Sequence, residues 1–120
     1  IDVNVESTVS VKKPDNSDEQ AEAQIIVSWT TDEASTSQVE YGEGTGSSYP
    51  QKTGQDDNLV TNHTVIISGL TPSKVYHLRV VSRDKAGNVG NSIDTVAITP
   101  KATANALDLV ITSLRSILGQ

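Results

Sequence analysis

The sequence predicts an all-β fold, a seven-stranded antiparallel β-sandwich, followed by a short amphipathic α-helix near the C-terminal end. Three observations support this prediction. Apolar and polar residues alternate in short segments along residues 1–100, which is the pattern of strands buried on one side. Turn-forming residues separate these segments, and no helical pattern lies between them. After residue 100 the apolar residues recur instead at the spacing of a helix.

The first two strands are defined by apolar residues at every second position. Residues 1–11 alternate over their whole length, which predicts a strand with one buried face. Residues 12–21 contain a proline and several charged side chains, as expected of a solvated loop. The second strand, residues 23–31, carries its largest apolar side chains on one face, namely Ile25, Val27 and Trp29.

The middle of the chain predicts one more core strand and a long turn region. Residues 32–35 are polar and acidic, and we expect them to break the second strand. Residues 37–41 resume the alternation and form a third strand. Residues 42–58 are rich in glycine, so we expect mostly turns there, with one short edge strand at residues 49–53.

Three further strands complete the predicted sandwich. They cover residues 59–68, 75–83 and 91–99. The turn at residues 69–72 joins the first two of them. Residues 84–88 form a hairpin loop in which Gly87 or Asn88 takes a positive φ.

Two features of these strands resemble a known domain family. Trp29 lies within the strand Ile25-Ile26-Val27-Ser28-Trp29-Thr30, and the turn Leu70-Thr71-Pro72 is followed by Tyr76. On these features residues 1–100 resemble a fibronectin type III domain. The segments 28–42 and 84–88 are similar to the variety of this domain found in secreted bacterial and archaeal proteins, which is itself similar to the N-terminal domain of purple-acid-phosphatase-like enzymes.

The resemblance implies both a fold and a setting. The fold is an immunoglobulin-like sandwich in which the hydroxyl of the corner tyrosine bonds to the backbone near Leu70. The setting is a secreted or cell-surface protein, in which such modules are rarely catalytic. The structural core implied in this way includes Trp29, Tyr41, Leu70 and Tyr76.

The C-terminal residues do not follow the sandwich pattern, so we divide the chain into a domain at residues 1–100 and a linker with a helix at residues 101–120. Asn105 is suited to cap the start of this helix and Gly119 its end. An isolated helix of about 13 residues is only marginally stable in water. Its apolar face therefore needs a surface on the same domain, a second copy of the chain or a neighbouring domain. This candidate interaction face consists of Leu107, Val110, Ile111, Leu114, Ile117 and Leu118.

Composition excludes several classes of partner. The 120 residues include 9 Lys or Arg and 15 Asp or Glu, which gives a net charge of −6. Because an acidic surface repels nucleic-acid phosphates and anionic lipid heads, we expect no nucleic-acid binding. The apolar runs are too short for membrane insertion. The sequence contains no Cys, which excludes disulfides and thiol chemistry.

No pattern of catalytic, cofactor-binding or metal-binding residues is present in the sequence. Its two histidines, His63 and His77, have no partner at a catalytic or ligand spacing, and we expect both to lie at the surface. The acidic groups Asp32-Glu33, Asp56-Asp57 and Asp84 do not follow the spacing of a calcium-binding loop. Weak calcium binding in these loops stays an open alternative.

Carbohydrate binding through stacked aromatic rings is also not expected. The chain has one Trp, three Tyr and no Phe, and all of them except Tyr49 are assigned to the core. One ring is a poor platform for a sugar or a base. A glycosidase pair of carboxylates is not predicted either, since Glu40 is placed on the outer side of a strand, away from any cleft.

We therefore expect a non-catalytic extracellular module, acting as a spacer or a protein-interaction domain of a larger secreted or cell-surface protein. Two alternatives stay open: an accessory domain of an extracellular hydrolase, such as a metallophosphatase or a polysaccharide-degrading enzyme, and a surface subunit that self-associates through the C-terminal helix. The expected partners are neighbouring domains of the same polypeptide or another protein. Because the chain begins at Ile1, we interpret it as a piece of a longer or processed polypeptide.

Overall fold

A computed structural model describes residues 2–11 and 21–101 as an all-β, antiparallel arrangement of seven strands. Residues 12–20 of the predicted loop at residues 12–21, and the predicted helix at residues 107–118, lie outside the described residues. Within the described ranges the structure contains no helix. The strands are β1 (Val3–Val11), β2 (Ala21–Glu43), β3 (Gln51–Lys52), β4 (Asp56–Leu70), β5 (Val75–Arg83), β6 (Val89–Asn91) and β7 (Thr95–Ile98).

The long strand β2 connects all the others. Its first part pairs with β1 on one side, where Val27 lies opposite Val5, and with β4 on the other, where Val27 lies opposite Val65. Its last part pairs with β5 on one side and with the short β3 on the other. Strands β6 and β7 both pair with β5. The seven strands thus form one hydrogen-bonded network that passes through β2.

The buried faces follow from the alternation of apolar residues. In β2 every second residue from Ala23 to Trp29 is buried, and the residues between them are more exposed. In β5 the same alternation buries Tyr76, Leu78 and Val80. Apolar residues from both parts of β2 and from β4, β5 and β7 form one core cluster: Ala23, Ile25, Val27, Trp29, Val39, Ile67, Leu70, Tyr76, Leu78, Val80 and Ala97.

The prediction that residues 32–35 break the second strand is wrong, because β2 runs without interruption from Ala21 to Glu43. The polar residues instead shift the pairing with β4, which is irregular between Thr30 and Ser35 and between Ser35 and Ser37. The chain stays extended there because its side chains find hydrogen-bond partners. The Thr36 hydroxyl, for example, accepts a hydrogen bond from the Arg83 amide at 3.0 Å.

The predicted last strand at residues 91–99 is divided into β6 and β7. Ser92 lies between them and is buried, with its amide donating to the Val80 carbonyl at 3.1 Å and its hydroxyl accepting from the Val80 amide at 2.9 Å. A single serine therefore satisfies both backbone groups of Val80 and takes the place of regular strand pairing.

The turns agree with the sequence more closely. Gly87, in the hairpin loop before β6, has a φ of 93°, as its position predicts. After Leu70, the Thr71 amide donates a hydrogen bond of 2.9 Å to the Tyr76 hydroxyl. This bond satisfies the polar end of a buried ring and fixes the entry into β5.

Candidate functional site

His63 of β4 lies in the interior, directly opposite Trp29 of β2. Only 2% of its surface is exposed, and its ring is stacked on the Trp29 indole with centroids 4.8 Å apart and planes 5° apart. The expectation of a surface histidine is therefore wrong. Strand parity contains the signal that was missed, since His63 shares its parity with Ile67, a residue buried in the core.

Hydroxyl groups contact both nitrogens of the His63 ring. The Ser37 hydroxyl lies 2.6 Å from Nδ1 and the Thr31 hydroxyl lies 3.0 Å from Nε2, with Ser35 at 3.4 Å from Nε2. A neutral imidazole donates from one nitrogen and accepts at the other, and hydroxyls can complement both. Burial lowers the pKa of His63, because a charged ring is poorly solvated there. The site therefore favours a neutral imidazole.

The cluster around His63 also ties two parts of the fold together. The Trp29 indole N–H donates a hydrogen bond of 3.0 Å to the hydroxyl of Ser82 in β5. A groove beside the cluster is lined in part by Ser35, Ser82 and the exposed Glu33. In this arrangement the serine and threonine hydroxyls near the histidine bond to buried rings and backbone.

His77 forms the second cluster, on the opposite face of β5 from the core. The sequence places it on the solvent side of its strand, but only 2% of its surface is exposed. The ring of Tyr49 covers it, with centroids 4.7 Å apart and planes at 35°. The second surface expectation is therefore wrong as well. Strand parity assigns the face of His77 correctly. The burial of its ring depends on Tyr49, which lies before β3 and far away in sequence, and the local pattern does not predict this contact.

Asp94 accepts hydrogen bonds from both rings of this cluster. The Tyr49 hydroxyl donates to its Oδ1 at 2.6 Å, and His77 Nδ1 lies 2.8 Å from the same oxygen. Burial raises the pKa of Asp94, but hydrogen bonds from Tyr49 and His77 outweigh it and lower the pKa overall. Burial raises the pKa of the Tyr49 phenol, and the hydrogen bond and charge of Asp94 raise it further.

Arg79 and Gly42 also contribute to the packing of Tyr49 and the segment around it. The Arg79 guanidinium carbon lies 4.6 Å from the centre of the Tyr49 ring, and its Nε donates to Glu40 at 2.7 Å. A Cβ atom at Gly42 would lie 2.7 Å from Pro50 Cδ and 3.3 Å from His77 Nε2. Position 42 therefore needs glycine so that the segment ending at Pro50 can lie against β2. The sequence predicts that Tyr49 is free for stacking, but in the structure its ring is half-buried against these residues.

The four residues that the sequence assigns to the core all lie in the core cluster or pack against it. Trp29, Leu70 and Tyr76 are buried in the core cluster, and Tyr41 is partly buried and packs against it. The candidate interaction face formed by residues 107–118 lies outside the described residues. Asp84, one of the acidic residues considered for calcium binding, has a local hydrogen-bond partner. Asp84 Oδ1 accepts a hydrogen bond of 2.8 Å from the Asn88 amide, and hydrogen bonds from Asn88 lower the pKa of Asp84.

Neither a metal-binding cluster nor a membrane-spanning helix is found among the described residues. Among residues 2–11 and 21–101, no group of three or more His, Cys, Asp or Glu side chains could hold a metal ion. In the same part of the chain, no helix has the length and apolar character needed to cross a membrane.

Comparison with known families gives one finding. The model of the family described as the purple acid phosphatase N-terminal domain matches residues 14–99. The matched region contains β2 to β7 and both histidine clusters, whereas β1 precedes it. Searches of the curated proteins and of the solved structures found no match.

Proposed function

This chain belongs to the family of purple acid phosphatase N-terminal domains, and on that basis we propose that it is the non-catalytic accessory domain of a phosphatase-like protein. The match over residues 14–99 is the observation that carries the proposal. Catalysis would take place in another part of the polypeptide. The proposal includes an extracellular or cell-surface location and contact with neighbouring domains, both of which rest on the family resemblance.

The His63 cluster supports a structural role for its hydroxyl groups. A nucleophilic serine needs a base on one side and open space for the substrate on the other. Ser37 is hydrogen-bonded to His63, but it is only 4% exposed, so a substrate has little access to it. The second nitrogen of His63 bonds to Thr31, where a catalytic triad would place a carboxylate.

The proposal extends to a two-layer sandwich of the fibronectin type III kind. One layer would contain β1, β4 and the first part of β2, and the other β3, β5, β6, β7 and the last part of β2. The shared core cluster and the hydrogen bond from Trp29 to Ser82 support this packing, since both join residues from the two groups of strands.

A hydrolysis assay tests the non-catalytic role. The full 120-residue chain is incubated with para-nitrophenyl phosphate in the presence of Fe³⁺ with Zn²⁺ or Mn²⁺, next to the metals alone. We expect the two rates to be equal. Hydrolysis above the metal-only rate that disappears in folded Ser37→Ala protein, but persists in the matched variant Ser68→Ala on the exposed side of β4, would overturn the proposal.

The gene sequence after codon 120 tests the accessory role. A reading frame that continues into a metallophosphatase domain supports the proposal. A stop codon at that point, or a domain of unrelated chemistry, contradicts it.

A further inference from the structure

Both ends of the polar stretch in β2 contact the same imidazole ring. Residues 32–36 are polar apart from one alanine, and the pairing of β2 with β4 shifts its register twice between Thr30 and Ser37. The Thr31 hydroxyl before this stretch lies 3.0 Å from Nε2 of His63, and the Ser37 hydroxyl after it lies 2.6 Å from Nδ1. One ring of β4 therefore bridges the two ends of a stretch in which the strand pairing is irregular.

The Thr31 hydroxyl fixes the direction of these hydrogen bonds. A hydroxyl has one proton to donate, and that of Thr31 donates to the Glu33 carbonyl at 2.8 Å. It can then only accept a hydrogen bond from His63, so Nε2 carries the proton of the neutral ring. Nδ1 is left as the acceptor, and the Ser37 hydroxyl donates to it. The hydrogen bonds therefore run in one direction, from Ser37 through the ring to the Glu33 carbonyl.

The surroundings of the ring suit its neutral form. In the described part of the chain its hydrogen-bond partners are all hydroxyls, and burial lowers the pKa of His63. The guanidinium of Arg83, at the end of β5, donates to the Gly87 carbonyl at 3.4 Å. The carboxyl groups on the elements packed against the ring line the two grooves beside it or pair with Ser37 in register, namely Asp2, Glu33, Asp84 and Asp56.

We propose that neutral His63, as its Nε2–H tautomer, clamps residues 31–37 of β2 against β4 and releases this stretch when the ring is protonated. We call His63, Thr31 and Ser37 the imidazole clamp. Protonation adds an N–H at Nδ1, where the Ser37 hydroxyl donates in the neutral clamp, so this hydroxyl has to turn and give up its acceptor. It also places a charge on a ring that is only 2% exposed. Opening of the stretch lets water reach both nitrogens and relieves both costs.

The release would change a surface of the domain. Thr31, Glu33 and Ser35 belong to the clamped stretch or flank it, and all three line the groove beside the His63 cluster. The shape of this groove therefore depends on the protonation of a ring in the interior. The imidazole clamp thus couples pH to one surface of the domain.

Nitrogen NMR of the full chain tests the tautomer. Long-range ¹H–¹⁵N spectra at pH 7.5 distinguish the protonated nitrogen of a neutral imidazole from the unprotonated one. Nuclear Overhauser contacts with the stacked Trp29 indole assign the signals to His63. We expect a protonated Nε2 and an unprotonated Nδ1. The reverse assignment would overturn the proposal, because the Thr31 hydroxyl would then have to donate to the ring.

Amide exchange in dilute urea tests the release. Local opening of residues 31–37 should hardly depend on urea, whereas amides of β5 that exchange by global unfolding depend on it strongly. The released ring has the ordinary pKa of about 6.5, so the population of the local opening should rise by up to about tenfold between pH 7.5 and pH 5.5. A population that does not change with pH, or opening of this stretch only together with β5, would overturn the proposal.

Thr31→Val and Thr36→Val form a matched pair for the clamp. Thr36 lies in the same stretch, but its hydroxyl accepts a hydrogen bond from the Arg83 amide instead. Thr31→Val removes the acceptor of the Nε2 proton, so we expect the local opening at pH 7.5 to rise about fivefold, as for the loss of one hydrogen bond, and the nitrogen signals of His63 to shift. Thr36→Val should leave these signals in place. Equal effects of the two variants on the His63 signals would contradict the clamp.

Discussion

The rings of Trp29 and His63 lie parallel to each other across the pairing of β2 and β4, with centroids 4.8 Å apart. A nitrogen of each ring also makes a hydrogen bond, that of Trp29 to the Ser82 hydroxyl and Nδ1 of His63 with the Ser37 hydroxyl. The pair therefore links β2, β4 and β5 through both apolar stacking and hydrogen bonds.

Replacing Trp29 by Ala removes the stacking partner of His63 and leaves a cavity in the core. We expect the free energy of unfolding to fall by about 3–5 kcal/mol, as for other large buried aromatic residues. Urea unfolding followed by circular dichroism measures this change. Ser82→Ala is the matched control, since it removes only the acceptor of the indole N–H and should cost about 1–3 kcal/mol. A loss below about 1 kcal/mol for Trp29→Ala would contradict its place in the core.

Acidification should destabilise the protein through His63. Because burial lowers the pKa of His63 in the folded state, the unfolded chain binds a proton first as the pH falls below the usual value of about 6.5. The stabilising contribution is present above that pH and is lost as the pH falls toward the lowered pKa of the folded state. One proton can contribute a slope of at most about 1.4 kcal/mol per pH unit.

Unfolding free energies measured between pH 7.5 and 5.5 test this dependence. The control is His63→Gln, which retains hydrogen-bonding groups but does not titrate. We expect the variant to be less stable at pH 7.5 and to have a smaller slope with pH. Equal slopes in the two proteins would assign the pH dependence to other groups.

Gly42→Ala should disturb the packing of the segment that contains Tyr49 and Pro50 against β2, because the new Cβ would lie 2.7 Å from Pro50 Cδ. We expect a loss of about 1–3 kcal/mol, the usual cost of overpacking. Gly54→Ala is the matched control, since a Cβ there meets no atom within 4 Å and its φ is not positive. Thermal unfolding of both variants gives the comparison, and equal melting temperatures would show that Pro50 can move away from β2 at little cost.

Asp94→Asn should lower the pKa of the Tyr49 phenol. Burial raises this pKa first, and the hydrogen bond and charge of Asp94 add to it. The variant removes the charge and keeps a hydrogen-bond acceptor, so the burial contribution stays. Titration by absorbance at alkaline pH, with Tyr49→Phe subtracted to isolate this ring, measures the shift. An unchanged titration of Tyr49 would mean that Asp94 does not contact the phenol in solution.

Local pattern predicted most of the strands but few of the long-range contacts. The bounds of β5 coincide with the predicted residues 75–83, because alternation there continues up to clear turn signals on both sides. The continuous β2 was missed because the polar residues 32–35 carry the composition of a turn. Their extended conformation depends on partners far away in sequence, such as Asp84, which forms an antiparallel β-bridge with Ser35. Parity alone does not supply that information.

The two histidines illustrate the same limit in different ways. His63 lies on the core parity of β4, so its burial follows from the alternation that also buries Ile67. His77 lies on the outer parity and is buried only because Tyr49 and its segment fold over it. The first could be predicted from neighbouring residues, whereas the second required knowledge of contacts made by a glycine-rich segment.

The length of β2 has a consequence for how the domain comes apart. Its first part pairs with β1 and β4, and its last part pairs with β3 and β5, so unfolding of β2 as a whole breaks hydrogen bonds in both groups of strands. Proteins often open in separate cooperative units that exchange their amides at different rates. In this domain β2 belongs to both groups of strands, so we expect them to open together. The slowest-exchanging amides of β1, β4 and β5 should therefore report one common opening, the global unfolding of the domain.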